Sequence, residues 1–298
     1  MKNIKIKDII NFLDEGNYQA VYNGDLSLII NNYSNISNLQ NNSIAWIKNK
    51  KYLTADVLEN IKQNQMVVIV CPWKIEEAKN CLITESPKEV FFSILRKFFT
   101  EKKDSFISVN AIVETDSIGK NVSIGSGCYI GEDVIIGDDV ILHANVVIDC
   151  PCIIGRGTEI FAGTVIGSDG FGYYHHQGIP ERAPHFGKVI IGDYVDIGAN
   201  TCIDRGCLSD TIIGDHVKID NLCNIGHNVQ IADNTLITAG TIICGSCKIG
   251  KDVYIAPGAT VLNQITVQDS AYIGIGSTVL RVVKHGQKVF GSPAVPIE

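Results

Sequence analysis

The stretch Ile118–Gly167, IGKNVSIGSGCYIGEDVIIGDDVILHANVVIDCPCIIGRGTEIFAGTVIG, decides the fold. Counted in sixes, Ile118, Ile124, Ile130, Ile136, Leu142, Ile148, Ile154, Ile160 and Ile166 share one register, which Ile112 extends upstream. The register breaks after Gly167, resumes at Ile191, Ile197 and Ile203, slips by four residues, and then runs from Ile213 to Val279, giving twenty-five hexads in all. The residue after the aliphatic is often Gly, as at Gly119, Gly125, Gly137 and Gly198, and four places on stands a small residue or Val. A period of six suits neither an amphipathic helix nor a two-faced strand. It predicts a short strand and a corner, repeated, so that three hexads close a triangular coil with its aliphatics on the axis. Stacked at ~4.8 Å per strand, about eight coils make a prism roughly 40 Å long.

Composition agrees with such a core. The 298 residues are 45% hydrophobic but only 7% aromatic, with 28 Gly, as expected where stiff branched side chains fill a pleated interior and Gly serves corners. Twenty-five Lys and Arg against 32 Asp and Glu give a net charge of −7, so no global basic field is available to hold nucleic acid or an anionic membrane. No apolar run approaches the ~18–20 residues of a membrane span, and the start MKNIKIKDIIN lacks a signal-peptide core. A cytoplasmic protein that does not span a membrane is therefore expected. The ten Cys stand singly within apolar periodic stretches and read as reduced, small core residues.

Residues 1–105 lack the hexad and read as a small α/β domain: an amphipathic segment at Ile6–Leu13, a strand at Met66–Cys71, and a helix after Ser86. That helix has Pro87 at its first position, Glu89 completing a capping box, and apolar Val90, Phe91, Ile94, Leu95, Phe98 and Phe99 on one face. Glu101–Asp104 reads as a charged linker, Phe106 as the opening of the prism (106–280) in register with Ile112, and 281–298 as a short tail. A prism face is monotonous, so its irregularities are the places to look for chemistry. They are the insertion Ser168–Lys188, the bulge Asp204–Asp210, and a polar patch of Asp220, Asn221, Asn224, His227 and Asn228. His227 stands two places after an inward aliphatic and should point outward.

IGSDGFGYY (Ile166–Tyr174) followed by GKVIIGDYVDIGANTCIDRGCLSDTIIGDHVKIDNLCNIGHNVQIAD (Gly187–Asp233) resembles the UDP-3-O-acylglucosamine N-acyltransferases of lipid A synthesis, with loop, bulge and His patch matching in order. The resemblance implies a left-handed parallel β-helix of hexapeptide repeats, assembled as a homotrimer whose clefts lie between neighbours. It implies a UDP-amino sugar as acceptor and the thioester of acyl carrier protein or CoA as donor, with no tightly bound cofactor. His227 matches the family's general base, a task a neutral imidazole suits at cytoplasmic pH. One coil further stands Gly245, where the resemblance places an oxyanion-binding N–H. Asp220 and Asn221 resemble glucosamine contacts, with Asn224 and Asn228 in the same substrate-binding patch. In the first domain, Ile44-Ala-Trp46-Ile-Lys-Asn49-Lys-Lys-Tyr52 is similar to the uridine-binding segment, with Trp46 and Tyr52 as the aromatic clamp and Asn49 beside them.

Two departures widen the readings. The run GATVLNQITV (Gly258–Val267) carries Asn263-Gln264 where the family has Gly-His, and the extra C-terminal helices implicated in docking acyl carrier protein have no counterpart after Gly291-Ser-Pro-Ala294. That ending resembles acetyl-CoA-dependent hexapeptide acetyltransferases, so a nucleotide-amino-sugar N-acetyltransferase serving surface polysaccharide is an alternative, and a non-enzymatic β-helix scaffold a second. Metal chemistry is not expected: no two of the seven His share a coil at useful spacing, and His175, His176 and His185 share only the loop. His143 matches the family without an assigned role.

Overall fold

The computed structural model describes residues 3–101 and 104–296. Lys102 and Lys103 of the expected linker, and the last two residues of the expected tail, lie outside the described residues. The chain divides into two compact units, Met1–Lys103 and Asp104–Glu298.

The second unit is the prism. Its strands are mostly two or three residues long and form three parallel faces, in which Ile130 pairs with Ile148, Ile148 with Ile166, Ile225 with Ile243, and Ile243 with Val261. Each pair is one coil apart. The axial side chains are the aliphatics of the hexad, from Ile124 to Val279, and they form one continuous buried cluster. Nearly every corner carries one residue in the left-handed region three places after the axial aliphatic, for example Asn145 (φ 61°), Asn234 (φ 60°) and Gly240 (φ 69°). Asn, Asp and Gly tolerate that conformation best, which explains the polar corners. Successive coils also touch backbone to backbone at the position after the aliphatic. A Cβ on Gly137 would stand 2.9 Å from Arg156 N, so Gly is required by close approach.

Both ends depart from the hexad count. Ile107 rather than Phe106 bridges to Ile124, and Val113 rather than Ile112 pairs with Ile130, while Phe106 and Ile112 are exposed. The first coil is one residue short because its corner is tightened by the buried Thr115, whose Oγ1 donates to Val134 O and accepts from Ser117 N–H. At the other end the coiling continues past Val279: Lys288–Phe290 adds to the strand Tyr272–Ile273, and Val295–Pro296 turns back on it antiparallel. The Cys expectation holds for seven residues. Cys202 is exposed and Cys207 and Cys244 are half-buried, because they occupy an outward strand position, the bulge and a corner respectively.

In the first unit, five strands run in the order Ala20–Asn23, Asn80–Thr84, Val68–Cys71, Ser43–Trp46 and Asn32–Tyr33, all parallel neighbours except the first pair. The central strand VIVC is buried on both faces, as parallel strands between helical layers are. Val68 and Val70 meet helices α1 (Ile6–Glu15) and α3 (Pro87–Phe98), while Ile69 and Cys71 meet α2 (Ala55–Gln63). Helix α3 starts at Pro87 with Ser86 as N-cap, but the capping box does not form. The Ser86 side chain makes no cap bond, and its N–H donates to Thr84 Oγ1. Among the described residues no helix is long and apolar enough to cross a membrane.

If axial packing carries the prism, truncating Ile148, which is 0% exposed, costs about 2–5 kcal/mol of unfolding free energy as other large-to-small core changes do. Denaturant titration of Ile148→Ala measures this; a loss below ~1 kcal/mol would contradict a close-packed axis.

Candidate active site

Five successive coils meet at one corner. Strand Val165–Asp169 leaves it into the inserted loop, Cys202–Arg205 into the bulge, Asn224–Ile225 toward His227, Ile242–Ile243 toward Gly245, and Thr260–Val261 toward Asn263. Their axial residues Ile166, Ile203, Ile225, Ile243 and Val261 are in register, so the residues that follow are stacked. The inserted loop contains an antiparallel hairpin, Tyr173–His176 with Ile179–Arg182.

His227 is held from several sides. Its Nδ1 lies 2.9 Å from Asn228 Oδ1. The same oxygen accepts the Cys207 N–H, and Asn228 Nδ2 donates to Ser209 O and Ser209 Oγ. The Cys207 N–H and the Ser209 carbonyl fix which end of the carboxamide is oxygen, so Nδ1 must be the donor and carries the proton of the neutral ring. In the neutral ring Nε2 therefore keeps its lone pair. It stands over Gly245, where a Cβ would come within 2.6 Å of it, and Ser246 N–H donates to His227 O to lock the two coils together. Among the described residues the Gly245 N–H has no protein acceptor.

The inserted loop closes over the same ring. A Cβ on Gly170 would lie 2.7 Å from His227 Cβ, so the loop backbone rests against the imidazole. His185, only 6% exposed, sets its ring 5.5 Å from that of His227 at 82°. Its Nδ1 donates to Ala183 O, and its buried Nε2 has no partner. Asp204 faces both imidazoles; burial pushes its carboxyl up to about 6, with Asp169 adding to the shift and the two His charges opposing it. A cleft of about 370 Å³ opens here, lined by Phe171, Asp204, Asn224, His227, Gly245 and Asn263 among others.

The expected site residues thus fall into three places. His227, Gly245, Asn224 and Asn228 come together at this corner, although the carboxamide of Asn228 is fully engaged by protein groups and orients the imidazole. Asp220 and Asn221 sit at a different corner and line a second cleft of about 420 Å³ with Phe161, Lys218 and Tyr254. There Asn221 Oδ1 accepts the Ala199 N–H while its Nδ2 donates to Asp220 Oδ1. In the first unit, Trp46 is half-buried against Phe91 and Phe92, Tyr52 is exposed with the Lys51 ammonium over its ring, and Asn49 caps the short turn Lys50–Tyr52. Asn263 and Gln264, the departure from the family pattern, line the His227 cleft. His143 bonds Glu159 and stacks on Phe161. Among the described residues no three His, Cys, Asp or Glu side chains are grouped as a metal ion requires.

Three residues of the corner escape a sequence reading: Gly170, His185 and Asp204. Their only signal is that each lies in an irregular segment, and the loop gives His185 a fixed seat that the sequence did not suggest. The tautomer is directly measurable. Nitrogen-15 NMR of the neutral His227 ring is expected to show a protonated Nδ1 and a bare Nε2, and Asn228→Ala should mix the tautomers; a bare Nδ1 in the unmodified protein would refute the network.

The model of the bacterial transferase hexapeptide (six repeats) matches residues 117–150 and 210–245. Over 140 residues, 47% of this chain and 40% of the relative, the sequence is 42% identical to the UDP-3-O-acylglucosamine N-acyltransferase of Herminiimonas arsenicoxydans. It is 45% identical over 145 residues to that of Rickettsia massiliae, covering 49% of this chain and 42% of the relative. The matches span about two-fifths of the length of these curated relatives. Among solved structures, LpxA of Acinetobacter baumannii superposes with TM-score 0.58 at 25% identity, over 64% of this chain and 73% of its own. The UDP-N-acetylglucosamine acyltransferase of Francisella novicida gives 0.59 at 25%, over 64% and 70%. The fold is accordingly the left-handed parallel β-helix, joined in sequence to a small N-terminal α/β region.

Proposed function

We propose that the chain is an N-acyltransferase that moves an acyl group from a carrier thioester to the amine of a UDP-linked amino sugar. The observation that carries this reading is Nε2 of His227, bare in the neutral ring, standing in one cleft beside the Gly245 N–H, which has no acceptor among the described residues. The similarity to relatives named for UDP-3-O-acylglucosamine N-acylation supports the choice of acceptor.

In this reading the neutral sugar amine attacks the thioester carbonyl. A C–N bond forms as the carbonyl electron pair moves onto oxygen, where the Gly245 N–H meets the developing charge. His227 Nε2 takes the amine proton, a transfer that suits an imidazole near neutral pH. The intermediate then expels the thiolate, which receives that proton from the imidazolium. No covalent enzyme intermediate is needed, and the half-buried Cys244 has no part in the sequence.

Trp46 and Tyr52 are proposed to stack on the uracil, with Asn49 beside them. Assays against UDP-amino sugars with acyl-acyl carrier protein, and separately with acetyl-CoA, test the whole reading. His227→Ala should lower kcat by ~10²–10⁴, the usual size of a general-base contribution, while Trp46→Ala should mainly raise KM for the sugar nucleotide. Unchanged turnover in His227→Ala would sink the catalytic assignment, and transfer from acetyl-CoA alone would give the chain to the acetyltransferase alternative.

The separation of His227 from Asp220 and Asn221 on one chain supports a homotrimer, in which one protomer's His227 corner faces the Asp220 corner of its neighbour. One cyclic arrangement would then complete three sites. Mixing two inactive variants, His227→Ala and Asp220→Ala/Asn221→Ala, and letting them exchange subunits should restore part of the activity. Failure to complement in a mixed trimer, or a monomer by light scattering, would reject the shared site.

A further inference from the structure

We propose that Asp204 is the counter-charge of His227, a positioning residue that holds the imidazolium formed in turnover, and that His185 is the buried ring that seals the pair from water. The inference rests on the reading of His227 as a base and assigns the two residues that face it.

The corner Asp residues of this prism have an ordinary use. Asp138, Asp193, Asp215, Asp233 and Asp269 each accept a backbone N–H from an adjacent coil, and so stitch the corners. At Asp233 the hydrogen bond from Lys251, with help from its charge and that N–H, draws the carboxyl below the usual range. Asp204 differs on every count. Among the described residues its carboxylate accepts no N–H and pairs with no Lys or Arg. The charged and titratable groups that face it are His227 from the next coil, His185 from the inserted loop, and Asp169 from the preceding strand. Arg205, its neighbour in sequence, turns away to Gly187 O. Asp204 lines the cleft beside His227, and burial pushes its carboxyl up to about 6. The fold thus holds a half-buried carboxylate without backbone or Lys and Arg partners, next to the one imidazole whose Nε2 opens on the cleft.

Ionised above pH about 6, that carboxylate favours a positive His227. His185 suits the other role. With Nδ1–H bonded to Ala183 O and Nε2 buried without a partner among the described residues, its ring is fixed in place and walls one side of the pair. The sign of the stability effect separates this role from a structural one. A carboxyl raised from 3.8 to about 6 binds its proton more tightly folded than unfolded, so its contribution to stability falls as pH rises from about 4 to about 6 and stays low above that. Asp204→Asn should therefore leave the melting temperature at pH 7.5 unchanged or higher while impairing His227.

The test follows the His227 ring by NMR titration in full-length protein, which needs no substrate. In Asp204→Asn the His227 midpoint should move about one unit or more to lower pH, in keeping with loss of a nearby opposite charge. In His185→Phe, which keeps a ring and removes the nitrogens, it should stay within about 0.3 unit of the unmodified protein. An unmoved midpoint in Asp204→Asn, an equal downward move in His185→Phe, or a fall in melting temperature at pH 7.5 in Asp204→Asn would overturn the proposal. If the sugar acceptor proves different, the titration still decides the pairing. If acyl transfer is found, kcat/KM of Asp204→Asn should drop about tenfold, with its ascending limb displaced to lower pH.

Discussion

Every backbone N–H in a parallel coil that is to be satisfied must find a carbonyl in the coil beside it, and this forces the chain back to the same place once per coil. Tyr129 N–H reaches Val146 O, Gly226 N–H reaches Ile243 O, and Ala256 N–H reaches Ile273 O, all by the same step. A residue added within a strand would move every following aliphatic off the axis and cost the burial that stabilises the fold. Surplus residues must therefore be pushed out at corners. Both large surpluses, the loop and the bulge, leave at the corner that follows Ile166 and Ile203, two coils that precede His227. The constraint that makes the prism monotonous thereby concentrates its irregular chain on one edge.

That concentration explains which parts of the site could be read in advance. The axial residues and the stacking of Gly245 on His227 follow from the period alone, because the period is the geometry. The first end resisted because hydrogen bonding by a single side chain, Thr115, shortens the first coil without changing the pattern of Ile and Val that announces it. Ser86 shows the same limit at small scale: its sequence pattern promises a capping box, but the Thr84 hydroxyl takes its N–H. Asp220 and Asn221 are close to His227 in sequence, yet one hexad is one face, so nearness along the chain means separation in space.

The bulge has a role that no spacing argument reaches. Cys207 N–H and both Ser209 oxygens occupy three of the four hydrogen-bonding positions on Asn228, and the fourth is the proton of His227. Asn228 owes its presence at that corner to its left-handed backbone (φ 59°), a conformation Asn tolerates. A residue selected for a corner is thus recruited to set a tautomer, with the bulge supplying the groups that stop its amide from turning. Without them either end of the carboxamide could face Nδ1, and half of those arrangements would place the ring proton on Nε2, on the side that opens to the cleft.

The walls around His227 also decide the direction from which a substrate can reach it. Gly170 and Gly245 bring backbone against the ring on two sides, and a side chain at either would collide with it, so the imidazole has little freedom to leave its orientation. His185 and Asp204 lie on the loop and bulge side. The remaining lining comes from Phe171, Asn224, Gly226, Cys244, Ser246, Asn263 and Gln264. Its three amides can donate and accept hydrogen bonds but do not titrate near neutral pH. Among the described residues His227 is the sole imidazole lining this cleft, with Asn263 and Gln264 beside it. The side that carries the three amides therefore keeps one charge state while burial holds the Asp204 carboxyl up at about 6 on the bulge side.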